Sequence, residues 1–313
     1  MRARLLALAA AAAVLAGAPA VAAAARPALG SAAGSPCGTL ATPPAYKHVI
    51  WVWLENHSYN TIIGSARAPY LNSLAAGCGL ATNYHNITHK SLPNYIGATS
   101  GLGYQALARF TGDCSPLPGC VTAAPSIFGQ GETWRAYQES MPADCDTRNS
   151  GEYAVHHNPP PYFTTLGGCA ANDVPYTELA GDLAHGTLPA FSFITPNLVD
   201  DMHSGTIAAG DAWLAKNLPA ILGSSEYTGG ATAVFITWDE GHGGSPGERC
   251  ATSTTDPSCH IATIVISPSN RPGTRSATLY NHYSLLRTAE QLLGLPLLGQ
   301  AAASASMARA FGL

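Results

Sequence analysis

Two apolar stretches of this 313-residue chain end in side chains that can bind a cation. In "VWLENHSYN" (residues 52–60), Val52, Trp53 and Leu54 run into Glu55 and Asn56 with no turn residue between. In "VFITWDEGHGG" (residues 234–244), Val234 to Trp238 run into Asp239 and Glu240, and glycine follows. Asn and Ser start helices well, so the first stretch could be a helix cap. It could also be a ligand pair at the C-terminal edge of a central strand, where open α/β sheets place their sites. Two strands ending the same way favour the second reading. Side by side in one sheet, they would bring Glu55, Asn56, Asp239 and Glu240 to one edge. Such groups, three of them carboxylates, repel one another unless a cation joins them. Their hard oxygens suit one divalent cation of the Ca²⁺, Mg²⁺ or Mn²⁺ type.

A nucleophile and general acids for phosphoryl chemistry are also present. In "THKSLPNYIGATSG" (residues 88–101), Ser91 directly precedes Leu92-Pro93, and proline is favoured in a helix's first turn. Ser91 is therefore either an N-cap or a nucleophile at a helix N-terminus, where amides and dipole favour an anion. "HHNPPPYF" and "PNLVDDMHSG" put His156, His157, Asp200, Asp201 and His203 in loops bearing Pro and Gly. Loop histidines are common, and each alone is more often inert than functional. Beside a cation, they could bind or protonate the oxygens of a phosphoryl group.

Positioning these groups requires strands that alternate with helices. Strand-like runs occur at His48–Leu54 and at residues 190–194, 231–238 and 260–267. Helical patterns occur at residues 69–76, 92–98, 176–183, 208–222 and 282–293. The alternation predicts an α/β sandwich around a mostly parallel sheet. Residues 102–168 are rich in Gly, Pro and Cys and read as a long disulfide-tied insertion, not a second domain. No internal repeat is visible.

Composition sets the surroundings. The chain is 46% hydrophobic and 11% charged with a net charge of -4, so it has no basic footprint for nucleic acid. With 32 Gly and 23 Pro it reads as loop-rich and globular. Arg2 and Arg4, an apolar run over residues 5–15 and small residues near Ala25 predict a signal peptide over residues 1–25. An Ala/Gly/Ser/Pro linker over residues 26–43 and a single domain over 44–313 follow. No later segment is long and apolar enough to span a bilayer, so no stable membrane insertion is expected after cleavage. Eight cysteines in an exported chain imply disulfides. Neighbour pairing predicts Cys37–Cys78, Cys114–Cys120, Cys145–Cys169 and Cys250–Cys259.

Taken together, "ENHSYNTIIG", "APYLNSL", "THKSLPNYIGATSG", "LPAFSFITPNLVDDMHSG", "GDAWL", "TWDEG" and "NHYSLLRTAEQLLGLP" resemble the phosphoesterase family. That family comprises secreted acid phosphatases and phospholipases C and looks like a branch of the alkaline phosphatase superfamily. The compact length most resembles secreted actinobacterial acid phosphatases, including those of phosphatidylinositol-3-phosphatase type. The resemblance implies a three-layer α/β sandwich of alkaline-phosphatase type. It implies that Glu55, Asn56, Asp239 and Glu240 hold one cation together with Ser91, the nucleophile. It implies that His157 and His203 surround the phosphate, with His156 and Asp201 on the substrate. His282, in "NHYS", matches a recurrent position without an assigned role. Two-zinc alkaline phosphatases have an Asp-His pair where this chain has Asp239-Glu240, which implies a one-metal site. The resulting expectation is a secreted metal-dependent phosphomonoesterase acting through a phosphoseryl intermediate on a small-molecule or lipid phosphate ester. A mildly acidic optimum follows if His157 and His203 gain charge near their ordinary pKa. The alternatives are a phospholipase C-type phosphodiesterase and a non-catalytic secreted binding protein.

Overall fold

The computed structural model describes residues 35–252 and 255–313. The expected signal peptide and most of the linker lie outside the described residues.

Nine strands form one sheet: β1 His48–Leu54, β2 Gly79–His85, β3 Trp134–Gln138, β4 Asp173–Pro175, β5 Phe191–Thr195, β6 Thr232–Trp238, β7 His260–Ile266, β8 Thr274–Ser276 and β9 Tyr280–Asn281. Their order is β4-β3-β5-β1-β6-β7-β2-β8, with β9 also paired to β2. The β1–β5, β1–β6, β3–β5 and β3–β4 pairs are parallel, whereas β7 runs against both β6 and β2. The mostly parallel α/β sheet expected from the sequence is therefore present.

The five longest helices among the described residues are α1 Pro69–Gly77, α2 Ser91–Ser100, α3 Glu178–His185, α4 Ile207–Leu222 and α5 His282–Leu292. All five coincide with helical patterns in the sequence. They fall into two groups, α2 packing on α5 and α4 packing on both α1 and α3. Residues 49–54 of β1 are all buried, and successive side chains point to opposite faces, so both faces of the sheet are covered. On one face Trp51 meets Phe191 edge-on at 4.9 Å, and Trp53 packs on Tyr95 of α2 and His282 of α5 at 4.9 and 4.6 Å. This aromatic layer joins the central strand to the two helices nearest the polar clusters.

The strands β2, β3, β4, β8 and β9 are not apparent in the sequence pattern. β2, "GLATNYH", holds Gly and Asn and carries a register shift between Ala81 and Tyr84 against β7. β3, "WRAYQ", includes an arginine that a buried strand would not normally hold. Arg135 reaches Asp182 at 2.6 Å, and Tyr137 donates to the same carboxylate at 2.7 Å, which satisfies both groups. Part of the expected insertion is thus a strand of the sheet, between β4 and β5. The four expected disulfides are all formed, and Cys114–Cys120 and Cys145–Cys169 brace this region.

Candidate active site

Register places the two acidic strand ends beside each other. Leu54 of β1 lies opposite Trp238 of β6, so Glu55-Asn56 and Asp239-Glu240 leave the sheet at one level. The Asp239 amide donates to the Leu54 carbonyl at 2.9 Å, and the Asn56 amide donates to Asp239 Oδ1 at 3.2 Å. Asn56 takes a positive φ of 46°, a conformation that Asn tolerates better than most residues. The neighbouring β5 runs on to Asp201, whose carbonyl accepts the Glu55 amide at 2.8 Å. Three parallel strands thus deliver their polar ends to one edge.

Ser91 is the first residue of α2, and its hydroxyl does not cap the helix. It donates to Glu55 Oε2 at 3.1 Å. The Leu92 amide is taken instead by Asp113 Oδ1 at 2.9 Å, from outside the helix. Asn94 holds the preceding loop: its Oδ1 accepts from the Ile87 and Thr88 amides at 2.8 and 3.1 Å, and its Nδ2 donates to the Thr88 and Lys90 carbonyls. Tyr95, one helical turn after Ser91 on the same face, donates to Glu55 Oε1.

Carboxylates crowd here without cations of their own. Glu55, Asp201 and Asp239 are fully buried, and Glu240 is nearly so. Burial, then the charges of Asp239 and Asp201, hold the Glu55 carboxyl well above its usual range. Burial and the Glu240 charge do the same to Asp239. Burial pushes Asp201 up to about 7 and Glu240 up to about 8. Among the described residues no Lys or Arg pairs with any of these four. Asn56 Oδ1 and Asp239 Oδ2 are buried with no hydrogen-bond partner. Orphaned hard oxygens within a cluster of repelling carboxylates fit a divalent cation.

The histidines divide by depth. His157 is buried, with Nε2 at 3.4 Å from Glu55 Oε1 and Nδ1 at 3.2 Å from Asp201 Oδ2. One ligand atom from each of Glu55, His157 and Asp201 lies within 4.8 Å of the others, a grouping that the sequence does not announce. His203 is exposed, its ring 5.6 Å from that of His157, and the His156 ring lies 4.3 Å from His157 on another side. The family resemblance puts Asp201 on the substrate. Its Oδ2 faces His157 and its Oδ1 accepts the His203 amide at 2.7 Å, contacts that position the two histidines. The expectation that His157 gains charge near its ordinary pKa needs correction: burial, then the His203 charge, push it well below 6.5. His156 is lowered too, by burial and then His157.

Two further histidines support the cluster from behind. His89 Nδ1 lies 2.6 Å from Glu240 Oε2, so that carboxylate, expected as a cation ligand, already has a partner on one oxygen. His282 spans Tyr84 OH at 3.1 Å and the Asp239 carbonyl at 2.6 Å, fixing the turn after β6. The structure thereby gives a positioning contact to a residue whose role the sequence leaves open. His89, Asn94, Tyr95 and Asp113 do not stand out as functional in the sequence. Tyr95 is within reach of such reasoning, because it stands four residues after Ser91 on an expected helix.

Solved structures share this fold at low identity. A Vibrio parahaemolyticus protein of the alkaline phosphatase superfamily superposes with a TM-score of 0.55 at 13% identity, covering 85% of this chain and 71% of its own. The lipoteichoic acid synthase LtaP from Listeria monocytogenes gives 0.56 at 12% identity, covering 86% and 78%. At these identities the likeness is one of fold. The model of the Phosphoesterase family matches residues 65–296, and the chain belongs to that family. It is 32% identical over 261 residues to the phosphatidylinositol-3-phosphatase of Mycobacterium tuberculosis, covering 82% of this chain and 80% of that protein. It is 28% identical to a phosphate-repressible acid phosphatase of Penicillium chrysogenum, of whose length it spans 61%.

Proposed function

We propose that this protein is a secreted, divalent-cation-dependent phosphomonoesterase with Ser91 as nucleophile. The observation that carries the proposal is the Ser91 hydroxyl, free of capping and directed at Glu55 within a buried carboxylate cluster that has orphaned oxygens. The monoester assignment draws on the activities for which the two relatives are named. Four disulfides support an oxidising, extracytoplasmic location.

Glu55, Asn56, Asp239 and Glu240 would hold the cation, with Ser91 Oγ beside them. A bound cation would supply Lewis-acid stabilisation of the charge that develops on the phosphoryl oxygens. With a cation bound, Glu55 would be ionised, and its Oε2 is placed to take the Ser91 proton as Oγ attacks phosphorus. The P–O bond to the alcohol breaks in line, and the alcohol oxygen takes a proton from His203 or solvent. The resulting phosphoseryl group is cleaved by water, which regenerates Ser91 and releases phosphate. Asp201 holds His157 through Nδ1, and through it the phosphate-facing wall, in one orientation. Positioning and electrostatics carry most of such a reaction.

The test is hydrolysis of p-nitrophenyl phosphate against p-nitrophenyl phosphorylcholine after chelation and add-back of single cations. Monoester turnover restored by one cation, with label from ³²P-substrate trapped on wild type but not on Ser91→Ala, supports the reading. Preference for the diester transfers the site to phospholipase C-type chemistry, and no turnover of either ester removes the enzyme assignment.

A further inference from the structure

The loop that leads to the nucleophile borders a cavity of about 420 Å³, lined by Thr88, Tyr104, Gln105, Thr111, Gly247 and Arg249 among others. A second cavity of about 620 Å³ shares Tyr104 and Gln105 with it and adds Arg109. The two form one groove that starts three residues before Ser91. Its first wall is tied to that loop directly, since the Gly247 amide donates to the His89 carbonyl at 2.6 Å and the Cys250 amide to the Ile87 carbonyl at 2.9 Å.

Two cations line this groove, and neither has a counter-ion among the described residues. Arg249 lies over the Tyr104 ring, 5.2 Å from its centroid, and forms no ion pair. Arg109 makes one hydrogen bond, to the Val121 carbonyl at 3.4 Å, and no ion pair. Of the acidic groups nearby, Asp113 accepts the Leu92 amide and Glu248 the Ser245 amide at 3.3 Å. Tyr104 OH accepts the Ala251 amide at 2.9 Å, and the adjacent Cys250–Cys259 disulfide fixes the strap that carries Arg249. A guanidinium stacked on an aromatic ring is already ordered for bidentate binding of an oxyanion.

We propose that this groove is a subsite for the leaving alcohol and that it recognises a second phosphate on that alcohol, with Arg249 as its principal contact and Arg109 as its outer one. The inference rests on the monoesterase reading above and narrows it to substrates with two anionic groups.

The experiment compares kcat/KM for fructose 6-phosphate and fructose 1,6-bisphosphate, with p-nitrophenyl phosphate as a control, in wild type, Arg249→Ala and Arg249→Ala/Arg109→Ala. Wild type should prefer the bisphosphate by about 10-fold or more, a preference that shrinks with added salt. Arg249→Ala should bring the ratio toward one while p-nitrophenyl phosphate turnover stays within about twofold. No preference in wild type, or an equal loss on all three substrates in Arg249→Ala, overturns the subsite. A separate arm measures calorimetric binding of the bisphosphate to Ser91→Ala and to Ser91→Ala/Arg249→Ala. If the wild type hydrolyses no monoester, the function assigned above fails. A bisphosphate affinity that still depends on Arg249 would in that case preserve the anion site, and an affinity that does not would remove it too. Repeating the comparison with the bisphosphate headgroup on a short-chain diacyl lipid distinguishes a soluble from a lipid source.

Discussion

Ser91 Oγ donates to Glu55 Oε2 across 3.1 Å, joining the first turn of a helix to the end of the central strand. The bond takes the hydroxyl away from the backbone amides that an N-capping serine would serve, and this separates a chemical role from a structural one. Ser91→Ala should lose activity by at least ~10³-fold. Its thermal midpoint should change little, because the helix keeps Asp113 on the Leu92 amide. A folded variant with near-normal turnover would refute the nucleophile.

Cation binding should be measurable without activity. Filling the site satisfies Asn56 Oδ1 and Asp239 Oδ2, so the midpoint of chelated protein should rise as Ca²⁺, Mg²⁺ or Mn²⁺ is titrated in, following mass action. Asp239→Asn should weaken this response by roughly tenfold or more in cation concentration. A midpoint indifferent to all three cations would count against the site.

Asp173 gives a pH prediction away from the cluster. It is buried beside Asn158, which donates to Oδ2 at 2.7 Å, and burial pushes its carboxyl up to about 8. The folded protein then holds this proton from about pH 4 to 8 while the unfolded chain has released it, so stability falls as pH rises through that window. Asp173→Asn keeps the acceptor oxygen and removes the titration. Its midpoint should exceed that of wild type at pH 8 and approach it at pH 5. Each tenfold difference in proton affinity between the folded and unfolded chain is worth about 1.4 kcal/mol, so even part of the effect is measurable in thermal melts. Parallel midpoints for the two proteins across pH would contradict the assignment.

Gly244 lies against the His89 ring, and a Cβ there would overlap the imidazole. Gly244→Ala should displace His89 from Glu240 and lower kcat by roughly 10²-fold, the scale of small misplacements at a reacting centre. Adding His89→Ala should recover the stability lost to the overlap without recovering the rate. Equal activity in Gly244→Ala and wild type would remove His89 from the positioning role.

The Cys37–Cys78 bridge, spanning 41 residues, ties the segment before β1 to the residue that follows α1. Replacing both cysteines with Ser should cost about 4 kcal/mol on the chain-entropy account. Denaturant midpoints of the variant and wild type provide the measurement.

Legibility in the sequence followed the physics of burial. β1 and β6 stand out because they are mostly apolar and end abruptly in acid and amide. β3 does not, because its Arg135 is made tolerable only by Asp182, 47 residues away. The cysteine pairs follow from neighbour pairing. Groups that act through partners distant in sequence leave little local trace. His89 meets Glu240 across 151 residues, and Asp201 meets His157 across 44. Neither contact leaves a periodic signal. The depth of His157 is likewise invisible, since a loop bearing three prolines reads as surface.

The reversed direction of β7 has a consequence for how this protein could diversify. Because β7 returns antiparallel to β6, the chain between them leaves and re-enters the sheet at the edge that bears Glu55 and Ser91. That connection carries Glu240, the glycine-rich segment over His89, and Arg249. Both of its ends are pinned, by the strands and by the Cys250–Cys259 bridge. Recoding the part around Arg249 would cost little in loop closure and leave the other strands in register, whereas Asp239, Glu240 and Gly244 are tied to the carboxylate cluster and to His89. Only that outer part is an exchangeable cassette, through which substrate range can drift or be engineered while the proposed ligands at the strand end stay in place.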